Sequence, residues 1–275
     1  MKSVFKVSVV FLIFIVTGCA YSPGKFSMEP FPIVGVYEEP KIDVISQVKG
    51  DIIEPYQNIC RFNVNRRKGF VWGGNSISSG GLLSNDIVIS AGHNFYSPWY
   101  NTARSFYIEC GVGSKPEQPP TYKAINKITT NQIKVSPKYS WSPFSEDISF
   151  IKICDPKNKI PNKSPFRLIT KPELSSITKG IEVYVSGYPA DKPFTGSKLI
   201  HFKTIINDIN NNVIHYSLAK TYRGMSGGPV WIEKNNERIV IGAHVKLGGA
   251  YLITSEMLDE FDKWVVQLSE PNVCH

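Results

Sequence analysis

A glycine-rich turn around one serine constrains this chain more than any other stretch. Residues Gly224–Pro229 read GMSGGP and lead into the apolar, strand-like run Val230–Ile232. Glycine permits a sharp turn in which two backbone N–H groups point into one small space. A serine hydroxyl is a weak nucleophile, so acyl chemistry at Ser226 requires a nearby base and donors for an oxyanion. An ordinary Gly/Ser loop between strands is the alternative.

Two upstream residues supply the partners that such a serine needs. His93 follows a short apolar strand and the small residues SAG, and Asp147 opens an alternating strand. The three residues occur in the order His93, Asp147, Ser226, with spacings of 54 and 79 positions. This order is one of three known for a triad in which a carboxylate orients the histidine that activates the serine. A structural histidine and a turn aspartate are the alternatives for each residue taken singly.

These stretches resemble the chymotrypsin-fold serine proteases, and among them the bacterial glutamyl endopeptidases. The resemblance extends over about residues 57–268, through SAGH at 90–93, DI at 147–148, SGYPADKP at 186–193, GMSGGP at 224–229 and VIGAH at 240–244. It implies an all-β, trypsin-like fold of two six-stranded antiparallel Greek-key barrels with a C-terminal helix. It also implies an exported serine endopeptidase.

The resemblance implies a role for each catalytic residue. His93 is expected to take the proton of Ser226, which attacks the peptide carbonyl, while Asp147 holds the imidazole in one tautomer. The backbone N–H groups of Gly224 and Ser226 are expected to form the oxyanion hole.

Three further residues predict what the enzyme cleaves. Trypsin-like relatives carry an aspartate six residues before the serine, where this chain has Lys220. Glutamyl endopeptidases carry a threonine five residues before the serine and a histidine on a later strand, and Thr221 and His244 match these places. A hydroxyl and an imidazole can donate charge-assisted hydrogen bonds to a carboxylate, so cleavage after Glu or Asp is predicted. A structural His244, with a broader or small-residue preference, is the alternative.

Alternating and apolar runs between turn residues predict the strands. Those of the first barrel are predicted at 57–65, 69–83, 86–91, 106–110, 122–134 and 147–153, and those of the second at 181–187, 197–207, 212–219, 228–233, 238–245 and 249–254. Asn235-Asn236 marks a hairpin turn. Apolar residues from Met257 to Leu268 recur at helical spacing, with Ser255 as the predicted N-cap. The predicted domains are therefore an N-terminal barrel at 57–153, a connection at 154–180, and a C-terminal barrel with its helix at 181–275.

Residues 1–18 have the pattern of a lipoprotein signal peptide. Lysines precede an apolar run, which ends in the letters VTGC at Cys19. This box implies cleavage before Cys19 and a lipid on its sulfur, with residues 19–56 as a proline-containing tether. We expect lipid anchoring in the bacterial envelope, at the outer membrane or periplasmic face, or an extracellular location. A plain signal peptide is the alternative.

The other four cysteines are Cys60, Cys110, Cys154 and Cys274. An even number in an exported chain favours two disulfides, with three possible pairings. Positions in the related fold imply Cys60–Cys110 within the first barrel and Cys154–Cys274 beyond the final helix. No cysteine spacing matches a zinc site, and no metal or cofactor is predicted.

The charge distribution bears on the partners. The chain has 31 Lys and Arg against 23 Asp and Glu, and the excess is spread thinly. This pattern favours a solvated surface over a nucleic-acid site. We expect a monomer that acts on polypeptide substrates. Alternatives are a proteolytically silent surface-binding lipoprotein on the same fold and a purely structural envelope lipoprotein.

Overall fold

The structure is a computed structural model. It describes residues 42–44, 55–65, 75–84, 86–96, 103–112, 120, 122–128, 132–141, 144–154, 166–191, 195–216, 221–246, 248–268 and 274. The predicted signal peptide, Cys19 and Lys220 lie outside these residues. No helix among the described residues is long and apolar enough to cross a membrane.

Short strands dominate the described chain. They are β1 Ile42–Val44, β2 Ile59–Asn65, β3 Asn75–Leu82, β4 Ile87–Ser90, β5 Ser105–Cys110, β6 Tyr122–Lys127, β7 Ile133–Val135, β8 Ser140–Trp141, β9 Phe144–Ser145, β10 Ser149–Lys152, β11 Arg167–Leu168, β12 Glu182–Gly187, β13 Ile200–Asn210, β14 Val213–Tyr216, β15 Pro229–Lys234, β16 Glu237–Lys246 and β17 Gly249–Leu252. The α-helices are α1 Lys171–Leu174 and α2 Ser255–Gln267.

The first barrel is a sheet in the order β6-β5-β2-β3-β4-β10-β7. The strands at its two ends, β6 and β7, correspond to successive parts of the predicted strand 122–134, so they are neighbours along the chain. Alternation along β2 turns Phe62 inward, where its ring meets those of Phe95 and Phe106 edge to face at 5.2 and 5.5 Å. Burying each such ring contributes about 2–3 kcal/mol, so this aromatic cluster anchors the barrel.

The second barrel closes completely. Its strands follow the order β13-β12-β15-β16-β17-β14, and β14 also pairs with β13. Two-residue turns at Asn211-Asn212 and Asn235-Asn236 have positive φ angles of 50° to 63°, as tight hairpins require. The second turn was predicted and is confirmed, whereas the first was not predicted. The all-β, two-barrel fold with a C-terminal helix is likewise confirmed.

Two segments outside the predicted barrel strands also join the second sheet. β1 pairs with the start of β13, although residues 19–56 were predicted as a tether. β11 runs parallel to β16 inside the predicted connection 154–180. Both segments therefore extend the sheet of the second barrel.

Helix α2 follows the second barrel and packs on the first. Thr254 caps it by accepting a hydrogen bond from the Met257 N–H at 3.2 Å, so the predicted N-cap, Ser255, is wrong and is the first helical residue. The ring of Phe261 lies 4.6 Å from that of Phe150 on β10. The helix therefore supports the strand that follows Asp147.

Two disulfides connect the described cysteines. Cys60 and Cys110 occupy directly opposite positions on β2 and β5 and are bonded to each other. Cys154, just after β10, is bonded to Cys274. These are the pairings that the family resemblance implied.

Candidate active site

The pairing of β4 with β10 brings His93 and Asp147 together. Ser90 on β4 lies opposite Ser149 on β10. His93 follows Ser90 by three residues, in the turn Gly92–Asn94, and Asp147 precedes Ser149 by two. Antiparallel strands place these two flanking segments at the same end of the sheet.

Asp147 holds His93 at two points. Its Oδ2 lies 2.5 Å from the ring Nδ1, and its Oδ1 accepts a hydrogen bond from the His93 backbone N–H at 2.8 Å. The carboxylate side chain is only 2% exposed, whereas the imidazole is 21% exposed. A shielded carboxylate on Nδ1 fixes the ring orientation and leaves proton transfer at the substrate side to Nε2.

The residue before Asp147 adopts an unusual backbone conformation. Glu146 has a φ of 45° and is buried, and its carboxylate accepts a hydrogen bond from the Ser136 hydroxyl at 2.6 Å. Left-handed conformations of residues other than glycine are strained and persist where the surroundings enforce them. This turn aims the Asp147 side chain at the histidine.

The loop that carries Ser226 lies directly against the first barrel. Gly227 has a φ of +87°, and a Cβ there would lie 2.1 Å from Ser90 Oγ and 2.4 Å from Ser79 O. Only glycine tolerates this conformation and this close approach. The glycines around Ser226 are therefore required for packing as well as for the turn.

Ser79 and Asn94 fasten the serine loop beside His93. The carbonyl of Ser226 accepts hydrogen bonds from Ser79 N–H at 2.9 Å and from Asn94 Nδ2 at 3.0 Å. Ser79 Oγ also donates to the Gly224 carbonyl at 2.7 Å. Because Asn94 adjoins His93 in the chain, these bonds place Ser226 next to the His93 turn. The sequence carries no motif that identifies Ser79 or Asn94, since their partners lie in the other barrel.

Two backbone amides of the serine loop have no backbone carbonyl partner among the described residues. Met225 N–H donates to Tyr222 O at 3.2 Å, but within the described part of the chain no backbone carbonyl accepts from Gly224 or Ser226 N–H. Ser226 Oγ donates to Val245 O at 3.3 Å. The arrangement can therefore offer two N–H donors to an anionic oxygen bonded to the serine.

His244 lies against the serine loop on β16. Its carbonyl accepts from Gly227 N–H at 2.6 Å, and its own N–H donates to Gly228 O at 2.8 Å. The imidazole is buried, and Nδ1 lies 2.5 Å from Tyr216 Oη. Burial lowers the pKa of His244 to about 3, opposed by a hydrogen bond with the Gly249 backbone and assisted by the nearby His93. His244 is therefore neutral at physiological pH.

Of the other two predicted pocket residues, the structure describes only Thr221. Thr221 is partly buried, five residues before Ser226, and among the described residues no hydrogen bond joins its side chain to His244. Among the described residues, no group of three or more His, Cys, Asp or Glu side chains is arranged to hold a metal ion.

Comparisons with known proteins agree on the fold. The family model for Trypsin matches residues 48–250. The structure of HL collagenase is 17% identical, with a TM-score of 0.60, over 85% of this chain and 98% of that one. The structure of a Glu endopeptidase in complex with MPD is 18% identical, with a TM-score of 0.61, over 83% of this chain and 97% of that one. No curated protein matches the chain.

Proposed function

Because this chain belongs to the trypsin family of serine proteases, we propose that it hydrolyses polypeptides with His93, Asp147 and Ser226 as its catalytic triad. The observation that carries the proposal is the pair of hydrogen bonds between the buried Asp147 and His93, together with the Asn94 hydrogen bond that places Ser226 beside the same turn. A base, its orienting carboxylate and a nucleophile are the groups that acyl transfer needs.

The reaction uses these residues in sequence. Ser226 Oγ gives up its hydrogen bond to Val245 O and attacks the substrate carbonyl, while His93 Nε2 takes its proton. Asp147 stabilises the resulting imidazolium, and the N–H groups of Gly224 and Ser226 bind the oxyanion. His93 then protonates the leaving amine. Water, activated by His93, hydrolyses the acyl-enzyme and restores the serine.

A covalent serine probe tests the nucleophile. A fluorophosphonate should label the folded parent protein and leave Ser226→Ala unlabelled, because the probe captures only an activated hydroxyl. Ser175→Ala, a change at an exposed serine that follows helix α1, is the matched control and should label like the parent. Equal labelling of Ser226→Ala and the parent would contradict the assignment.

We further propose that the enzyme prefers Glu, or Asp, before the cleaved bond, with Thr221, His244 and Lys220 forming the pocket. The support is the position of His244, whose backbone is bonded to Gly227 and Gly228 beside the nucleophile. A neutral imidazole can donate to a substrate carboxylate where water is excluded, and such bonds are strong. The low exposure of His244, 2%, favours the competing proposal of a broader preference.

The ratio of kcat/KM for peptides that differ only in Glu or Gln before the cleaved bond separates these two proposals. A glutamyl pocket predicts a ratio well above one in the parent and a loss of this ratio in His244→Ala. A ratio near one in the parent would contradict the glutamyl preference but would be consistent with the proposed protease activity.

We also propose that Cys19 carries a lipid that anchors the monomeric enzyme in the bacterial envelope. The support is the lipobox-like VTGC that ends at Cys19. In detergent phase separation the full chain should enter the detergent phase and Cys19→Ser the aqueous phase. Recovery of both proteins in the aqueous phase would contradict the anchor.

A further inference from the structure

The turn at 188–191 lies directly against the loop that carries the proposed oxyanion donors. A Cβ on Gly224 would lie 2.6 Å from both Ala190 N and Tyr188 O. Only glycine tolerates so close an approach, and the φ of Gly224, +91°, is one that other residues rarely adopt. The conformation of Gly224 is therefore tied to the position of this turn.

The last two residues of the turn hold both polar backbone groups of Arg223. The Ala190 N–H donates a hydrogen bond to Arg223 O at 2.6 Å. Asp191 Oδ2 accepts a hydrogen bond from the Arg223 N–H at 2.9 Å. Because the acceptor is a carboxylate, the second bond belongs to the stronger, charge-assisted kind. The turn thus fixes the peptide groups on both sides of Arg223.

This contact determines the direction of the Gly224 N–H. Arg223 O and Gly224 N–H belong to one peptide group, and a trans peptide directs its carbonyl and its N–H to opposite sides. Since Ala190 holds the carbonyl, the Gly224 N–H points away from the turn. Within the described part of the chain no backbone carbonyl occupies this N–H, so it is available to the oxyanion of the proposed mechanism.

The second proposed donor does not depend on this turn. Met225 O belongs to the same peptide group as the Ser226 N–H, and it accepts a hydrogen bond from the Gly228 N–H at 2.9 Å. The serine loop therefore orients the Ser226 amide by itself. The Gly224 amide, in contrast, relies on residues outside the loop.

The turn has support from both barrels. The Gly196 N–H donates to Pro189 O at 2.6 Å. Arg61, on β2 of the first barrel, donates from Nη1 to Gly196 O at 2.6 Å. A side chain on a supported turn can hold a neighbouring backbone in place, as precise functional geometry requires. The carboxylate of Asp191 has this position relative to Arg223.

We propose that Asp191 is a positioning residue, which holds the Arg223–Gly224 peptide so that the Gly224 N–H can stabilise the oxyanion. This inference rests on the proposed protease function and extends it to a residue that acts only through the backbone of Arg223. Without the carboxylate, Ala190 alone would hold the peptide, and a larger fraction of molecules would have it rotated. Those molecules would present a carbonyl oxygen in place of the N–H and would not stabilise the oxyanion.

Two substitutions at Asp191 test this role. Asp191→Ala removes the acceptor, whereas Asp191→Asn keeps an acceptor oxygen at the same position. Asp262→Ala is the matched control, because it makes the same change at an exposed aspartate on α2. Steady-state kinetics are measured on the peptide that the parent cleaves best, and thermal unfolding confirms that each variant is folded.

Inhibition by the aldehyde of the same peptide reports on the oxyanion site separately. Ser226 Oγ bonds to the aldehyde carbon, the carbonyl electron pair moves onto the aldehyde oxygen, and the serine proton passes to His93. The resulting adduct carries an oxyanion like that of the transition state, so its stability depends on the same donors.

The expected loss is smaller than that for removing an oxyanion donor, which lowers kcat about 10²–10³-fold. Asp191→Ala only loosens the orientation of the donor, so we expect kcat to fall about 10-fold with KM unchanged. Inhibition by the aldehyde should weaken by about the same factor. Asp191→Asn should recover most of both losses, and Asp262→Ala should match the parent.

The outcomes separate this role from the proposed function. A folded parent that cleaves no peptide overturns the protease activity and the role of Asp191 with it. An active parent whose Asp191→Ala variant keeps its kcat and its inhibition by the aldehyde overturns the role of Asp191 alone. A loss carried by KM, or one that Asp191→Asn does not recover, also overturns it, because the carboxylate would then act on substrate binding or through its charge.

The orientation of the peptide can also be observed without substrate. In nitrogen-15 spectra of the Ser226→Ala background, the Gly224 amide signal should shift or split when Asp191→Ala is added. The Gly228 amide, whose bond lies within the serine loop, should stay unchanged. An unchanged Gly224 signal would overturn the inference, whatever the kinetics show.

Discussion

Acid should destabilise this protein through His244 well above the pH at which its carboxylates titrate. Burial lowers the pKa of this imidazole from 6.5 to about 3 in the folded state. The unfolded chain therefore binds one more proton than the folded chain between these values. A depressed histidine pKa stabilises the fold above pH 6.5, and that stability is lost progressively as the pH falls toward 3.

The size of the effect follows from this shift. One pKa unit corresponds to about 1.4 kcal/mol, so acidification from pH 7.5 to pH 4.5 should lower the free energy of unfolding by about 2.7 kcal/mol through His244. Glu173, which is paired with Arg167, and Glu260, which is paired with Lys134 and Lys263, have their pKa lowered from 4.5 to about 2, so their contributions are lost mainly below pH 4.5. Above pH 4.5 the loss of stability therefore comes mainly from histidine protonation.

Urea unfolding followed by tryptophan fluorescence measures this loss in the parent and in His244→Gln. Glutamine can accept a hydrogen bond from the Tyr216 hydroxyl but does not titrate. Over the same pH range, the free energy of unfolding of His244→Gln should therefore fall by about 2–3 kcal/mol less than that of the parent. Groups common to both proteins cancel in the comparison. Parallel pH profiles for the two proteins would refute a neutral, buried His244.

Three other changes have expected outcomes. Asp147→Asn should lower kcat about 10⁴-fold in steady-state assays without unfolding the protein, because an amide stabilises the wrong tautomer of His93; a loss below tenfold would contradict the triad. Gly227→Ala should lower the free energy of unfolding by more than about 3 kcal/mol, because its Cβ would lie 2.1 Å from Ser90 Oγ; an unchanged thermal midpoint would contradict the packing of the loop. Replacing Cys60 and Cys110 together by alanine should cost about 4 kcal/mol, since their disulfide closes a separation of 50 residues; calorimetry showing no change would contradict this contribution.

Much of the architecture could be predicted because its signals are local. Period-two alternation identified β2 and β5, and paired asparagines marked the turn at Asn235-Asn236. The order of His93, Asp147 and Ser226 indicated which loops meet. For the first two residues the structure shows direct contact.

The parts that could not be predicted depend on contacts between distant segments. Ser79 is an unremarkable strand serine until the second barrel supplies the Gly224 carbonyl and the Ser226 peptide. Tyr216 acquires significance only through His244, 28 residues later. Their composition and spacing carry no signal for these roles.

The helix start shows a different limit. Thr254 and Ser255 are both good N-cap residues and are adjacent, so local preference cannot choose between them. The extended backbone of Thr254, and the hydrogen bond that its hydroxyl oxygen accepts from the Met257 N–H, decide the position.

Cleavage of a peptide library by the purified domain, with Ser226→Ala as the control, tests the central claim most directly. The account predicts cuts by the parent, concentrated after Glu or Asp, that disappear in the variant. Cuts of the same pattern and rate by Ser226→Ala would contradict the triad. A folded parent that cleaves no peptide and is not labelled by the fluorophosphonate probe would contradict the proposed protease activity itself.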